Sequence, residues 1–228
     1  MTSQSSRARV VGVVSLLMSV VGAPTLLYLP RFISPMDPGA TAQRIAANSA
    51  TYQWLTFGDL VAAILFAVLG WLFYQLFEDT DRGLARLLLV LVTISATFGM
   101  IDAGLLSVPT VLHARAAAFG AFSPAQLDAL SFAVLRVRAG LLNANEMLWG
   151  LWLVPLGILS LESGFIHKIV GVLVLIASVG YVADSTAYFV APAYAAAVGG
   201  IAMILFQGEL AIIFWLLIAG ARPQRVRD

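Results

Sequence analysis

Residues 54–77 read WLTFGDLVAAILFAVLGWLFYQLF, an apolar run that carries a single charge, Asp59. About 20 mostly apolar residues in a helix span the hydrocarbon core of a bilayer, so this run is long enough to cross. A carboxylate inside such a run is by default a functional candidate, because a charge is expensive there. Five more stretches of the same kind lie at roughly 10–30, 87–112, 139–161, 169–190 and 198–220. The composition agrees with them. Of 228 residues 61% are hydrophobic and 11% charged, with a mean hydropathy of +0.93. Soluble domains run at about 45–50% apolar and about 25% charged. The prediction is an all-α polytopic membrane protein: a six-transmembrane-helix bundle with short outer-surface helices, forming one integral membrane domain over residues 1–228.

The bulk figures also exclude several chemistries. A net charge of +1 gives no basis for nucleic-acid binding. The absence of cysteine removes disulfides, thiolate nucleophiles, Fe–S clusters and Cys-based zinc sites. The two histidines, His113 and His167, and the one lysine, Lys168, lie at span edges. No cofactor and no metal site is expected, and a mixed site of His113 with carboxylates is disfavoured by the place of His113 at a helix mouth. No G-x-S-x-G, phosphate-binding glycine loop or H-E-x-x-H occurs.

Arg7 and Arg9 before the first run, and Val21-Gly22-Ala23 within it, resemble a signal peptide. Pro24 would follow the cut, and the apolar run continues to Leu29, so an uncleaved first helix is expected. Eight of the thirteen basic residues fall in the amino-terminal, second-to-third, fourth-to-fifth and carboxy-terminal segments, five in the others. The positive-inside rule then puts both termini in the cytoplasm of an inner-membrane protein, with Arg222, Arg225 and Arg227 as a tail on anionic lipid. Two outer loops carry helix signals. A helix-prone stretch runs from Thr41 to Ala50. Ser123-Pro124-Ala125-Gln126 forms a capping box, so a helix should start there and run toward the fourth span.

Five of the twelve acidic residues fall within spans: Asp59, Asp102, Glu146, Asp184 and Glu209. Each unpaired charge would cost about 2.5–3.5 kcal/mol at the bilayer centre, so they must face protein and be paired, hydrated or protonated. Within this topology only Arg115, Arg136 or Arg138 could reach in from the outer edge. At 1.5 Å per residue, the first four lie roughly 8–15 Å below the outer helix ends, and Glu209 is near mid-span. Polar neighbours share their faces: Asn143 with Glu146, Tyr181 with Asp184, Ser185 and Tyr188, Ser95 with Asp102, and Thr56 with Asp59. A polar pocket in the outer half, lined by Asp59, Asp102, Asn143, Glu146, Tyr181, Asp184 and Glu209, is the expectation. Plain helix glue is the competing reading. Tyr28, Tyr52, Trp54, Tyr188 and Tyr194 read as interface anchors, Trp149, Trp152 and Trp215 as packing, and Gly99, Gly104, Gly199, Gly200 and Gly208 as points of close helix approach.

The order of several blocks resembles a bacterial six-helix membrane family known as domain of unknown function 4386. The blocks are Pro30-Arg31 to Asp37-Pro38-Gly39-Ala40-Thr41-Ala42, Gly58-Asp59-Leu60, Phe122 to Leu127, Gly150-Leu151-Trp152-Leu153, Ser163-Gly164-Phe165 through Gly171 to Gly180-Tyr181 and Asp184-Ser185, and Gly208-Glu209-Leu210 with Trp215-Leu216-Leu217. The resemblance covers nearly the whole chain. It implies the fold and draws attention to Asp59, Asp184 and Glu209 without giving them a role. The family pattern has a His near the start of the fourth helix, where this chain has Asn143 and Asn145.

Three functions compete. The first is an intramembrane acidic pocket that binds a small lipophilic or cationic molecule, with acid-catalysed conversion as an extension; Glu146 and Asp184 would be donor or anchor, with Tyr181 as partner. The second is a proton-coupled transporter or channel, which would need a homo-oligomer and a polar path that Gln75, Thr93 and Ser160 hardly provide. The third is a non-catalytic membrane assembly partner, which predicts carboxylates pointing apart. Whether the chain is an enzyme is left open by the residues; the one partner common to all three readings is membrane lipid.

Overall fold

The computed structural model describes residues 3–221, all in helices, turns and short connections, with no strand among them. The tail Arg222, Arg225 and Arg227 lies outside the described residues. Eight α-helices follow in order: α1 (Ser3–Tyr28), α2 (Pro38–Ala47), α3 (Ser49–Phe77), α4 (Arg82–Ala114), α5 (Pro124–Glu162), α6 (Lys168–Val190), α7 (Ala195–Phe206) and α8 (Gly208–Ile218). Six segments are long and apolar enough to cross a membrane: α1 with the turn after it, α3, α4, α5, α6, and α7 with α8 taken together. The chain is thus an all-α multi-pass membrane protein.

Local chemistry sets the helix starts. Asp37 accepts a hydrogen bond from the Ala40 amide at 2.9 Å and Pro38 takes the first position, so α2 begins there rather than at Thr41. The capping box closes reciprocally: the Ser123 amide donates to Gln126 Oε1 at 2.7 Å, and the Gln126 amide donates to Ser123 Oγ at 3.3 Å. From it α5 runs without a break for 39 residues, so the helix begun by the capping box and the fourth span are one element. His167 caps α6 by accepting from the Ile169 amide. The turn before it passes through Gly164, whose φ of +69° favours glycine. The most apolar window of α5 is 50% buried against 22% in α1, as expected of the helix that carries the most polar groups into protein contact.

The chain divides into two compact units. The first contains the described residues up to Leu17, Leu65–Ala96, and those from Asn143 onward. Here α5 and α6 meet backbone to backbone. A Cβ on Gly157 would stand 3.2 Å from the Gly171 carbonyl oxygen, one on Gly171 3.0 Å from that of Gly157, and one on Gly150 2.9 Å from that of Ser178. Small residues permit this approach, as is usual between membrane helices. The rings of Phe66 and Phe73 pack on Trp152. The last span is not one rod. Its ladder breaks at Gln207, and α7 and α8 both pack on α6. Gly208 lies so close to the Leu173 carbonyl that no side chain fits between them.

The second unit contains Met18–Ile64 and Thr97–Leu142. Its core is Leu29, Phe32, Ile45, Tyr52, Leu55, Leu106 and Leu135. Tyr52, expected as an interface anchor, is instead fully buried (0% exposed): its hydroxyl donates to the Leu106 carbonyl at 2.8 Å and its ring meets Phe32 edge to face. A tyrosine with a carbonyl to satisfy its O–H can go inside. Trp54 and Tyr194 are exposed, at 72% and 69%. Thr25 donates to the Leu55 carbonyl at 2.9 Å. Gly99 faces Ala63, with a built Cβ 3.0 Å from that of Ala63; Gly104 in this unit and Gly200 in the first have open space instead of a packed neighbour.

Candidate functional site

The seven candidate residues fall into two groups, one in each unit. In the second unit α3 carries Asp59 and α4 carries Asp102, and α5 brings Arg138 to them. Arg138 donates from Nε at 2.9 Å and from Nη2 at 2.6 Å to a single oxygen, Asp102 Oδ2. Both residues are 5% exposed. Asp59 lies within hydrogen-bonding reach of Asp102. Asp59 Oδ2 and Asp102 Oδ1 are buried with no donor. Of the three arginines that could reach inward, Arg138 is the one seated on a span carboxylate. It does so from within a helix that begins 14 residues earlier. The other supports expected for these carboxylates go elsewhere. The Thr56 hydroxyl donates to the Tyr52 carbonyl of its own helix, and Ser95, in the first unit, donates to Asn145 Oδ1 at 2.6 Å. A hydroxyl one turn from a carboxylate also sits one turn from its own backbone carbonyl, and here the carbonyl takes it.

The first unit gathers Glu146 from α5, Tyr181 and Asp184 from α6, and Glu209 from the first turn of α8. The Tyr181 hydroxyl donates to Glu209 Oε2 at 3.2 Å. Its ring is stacked on Phe206 at 3.9 Å and meets Trp149 edge to face at 5.8 Å. Glu146 lies within electrostatic range of both Asp184 and Tyr181. Its Oε2 is buried with no donor. Asp184 Oδ1 lies against Gly199 of α7, 3.2 Å from where a Cβ would be. Glu209 stands in the first turn of α8. Asn143 supplies its carbonyl to the Ser185 hydroxyl at 2.8 Å, joining α5 to α6 beside the cluster.

The two groups differ in charge. The ion pairs found among the described residues are Arg82–Glu78, His113–Asp128 and Arg138–Asp102, and none involves Glu146, Asp184 or Glu209. No group of three His, Asp or Glu residues is arranged to hold a metal ion among the described residues. A cleft in the first unit, lined by Ser6, Arg7, Val10, Val11, Leu72 and Gln75, contains none of the candidate residues. Two further features lie beside the candidate residues. Asn145 is buried and fixed by Ser95. The break at Gln207 has a signal, the polar step Gln207-Gly208-Glu209 inside an apolar run.

The family described as Domain of unknown function (DUF4386) matches residues 10–220. An uncharacterized protein of Archaeoglobus fulgidus is 36% identical over 86 residues, which is 38% of this chain and 50% of that protein. The chain therefore spans about half the length of this relative. No solved structure matches the chain.

Proposed function

We propose, from the premise that the chain belongs to the family described as Domain of unknown function (DUF4386), that its Glu146–Tyr181–Asp184–Glu209 cluster binds a small cation with an apolar body. One observation carries this reading: Glu146, Asp184 and Glu209 share a unit, none of them takes part in an ion pair found among the described residues, and Glu146 Oε2 is buried without a donor. An ammonium group would supply both the missing charge and the missing N–H donors. The surrounding apolar helix faces suit a hydrocarbon body. The convergence of side chains from α5, α6 and α8 supports binding over a pure assembly role.

Thermal-shift measurements on the purified protein test it, with a series of alkylamines and their uncharged alcohol analogues. The expected result is a rise in Tm with the amines, absent for the alcohols and lost in Glu146→Gln and in Asp184→Asn. A rise that survives both substitutions overturns the assignment.

Proton-coupled transport is the second reading, favoured by the interruption of the last span next to Glu209. Broken helices beside ionisable groups are a recurring transporter device. It requires amine uptake into proteoliposomes driven by a pH gradient; binding without uptake leaves the first reading. In both readings the protein resides in the inner membrane with both termini cytoplasmic, among lipids and as a homo-oligomer where it transports. Labelling of single cysteines introduced at Gln4 and at Arg115, from one side of intact cells, checks the orientation.

A further inference from the structure

The Asp59–Asp102–Arg138 group of the second unit plays no part in that reading, and its hydrogen bonds are one donor short. Arg138 directs its Nε and Nη2 donors to Asp102 Oδ2 alone. Asp102 Oδ1 is buried with no donor, and so is Asp59 Oδ2. The two carboxyl groups nevertheless lie within hydrogen-bonding reach of each other. An ionised carboxylate only accepts, so two of them cannot satisfy one another, whereas a carboxylic acid facing a carboxylate can. The charge count agrees. Two carboxylates on one guanidinium leave a net negative charge in a dry site, and a single proton brings the group to neutrality.

Neighbouring hydroxyls do not fill the gap. The charged and titratable groups that face the pair are Arg138 from α5 and Tyr52 from α3. The Tyr52 hydrogen is committed to the Leu106 carbonyl, that of Thr56 to the Tyr52 carbonyl and that of Thr25 to the Leu55 carbonyl.

We propose that Asp59 and Asp102 form a proton-binding site, one proton held between the two carboxyl groups with Arg138 as counter-charge. The ligand is the proton itself. Its arrival or departure changes the charge of the group by one inside the membrane, where the surroundings screen little. The site is independent of the cation reading of the other unit, since it shares no residue with the Glu146 cluster.

Infrared difference spectroscopy of the protein in lipid nanodiscs tests it, comparing wild type with Asp59→Asn near neutral pH. The expected result is a C=O band of a protonated carboxyl group present in wild type, missing from the variant, and titrating away at alkaline pH. Thermal unfolding gives a second readout. The asparagine side chain of the variant offers an amide N–H where the proton stood, so Asp59→Asn should keep the neutral-pH Tm of wild type. The folded pair holds a proton that the unfolded chain releases, so raising the pH should lower the Tm of wild type, and the variant should lose that fall. No difference in the protonated-carboxyl region between the two proteins overturns the proposal. So does an Asp59→Asn variant whose Tm keeps the wild-type fall with rising pH.

Discussion

The two acidic regions place similar side chains on similar helices and resolve their charge in opposite ways. In the second unit Asp102 has a buried arginine and Asp59 leans on Asp102, so the group needs at most a proton to be complete. In the first unit Glu209 has the Tyr181 hydroxyl, while Glu146 faces a second carboxyl group, Asp184. A group that closes its own charge balance serves the fold. A group that leaves charge open depends on something arriving, and that dependence can be selective.

The contrast is broken most directly at Arg138. Removing one partner of a buried ion pair costs about 3–5 kcal/mol, because the other is left charged and alone. Arg138→Met should therefore lower Tm more than any change in the Glu146 cluster, and the double variant Asp102→Asn/Arg138→Met should recover much of the loss. An Arg138→Met protein as stable as wild type in denaturation experiments would erase the distinction. Next in size is Gly208→Ala, where the new methyl group meets the Leu173 carbonyl. Overpacking of this kind costs about 1–3 kcal/mol, and it should weaken amine binding as well by displacing Glu209. Glu146→Gln and Asp184→Asn should change the stability of the ligand-free protein by less than about 1 kcal/mol while removing the amine response. Large losses in these variants would mean that the first unit is glue too. The smallest effect is expected at His113, whose ring nitrogens contact the Pro109 carbonyl and Asp128 Oδ1, both at 2.7 Å, at a half-exposed site. His113→Asn should cost under about 1 kcal/mol, and less at higher pH, where the imidazole gives up its charge. Melting curves at two pH values measure it.

The six spans, the cap at Ser123 and the inventory of buried carboxyl groups can all be read from the sequence, because length and apolarity alone decide them. The grouping of those carboxyl groups cannot. An amphipathic soluble helix announces its inner face, but a span that is apolar all round carries no such mark. Asp59 and Glu146 therefore look alike in the sequence, and only packing gives one a neighbour with an arginine and the other a neighbour with a second carboxylate. Arg138 reads as an edge residue for a related reason. The most apolar part of the fourth span begins at Ala139, although the capping box sets the helix start at Pro124. Tyr52 shows the same limit: its type fits either a membrane surface or a core, and the Leu106 carbonyl that accepts its hydroxyl decides between them.

The interruption at Gln207 has a mechanical consequence. A continuous α-helix transmits a push along its axis through its hydrogen-bond ladder, and at residue 207 the ladder of the last span tightens to i→i+3 bonds, the Gln207 amide donating to the Ile204 carbonyl at 3.3 Å and the Leu210 amide to the Gln207 carbonyl at 3.1 Å. It is two short rods with a joint. The joint is clamped on one side where Gly208 touches α6 and tied on the other by the Gln207 side-chain amide, which donates to the Met203 carbonyl. Load applied to α7 is shared between α6, on which α7 packs, and the one tightened turn that leads into α8. Glu209, two residues past Gln207, is tied to α6 both by this clamp and by the Tyr181 hydroxyl.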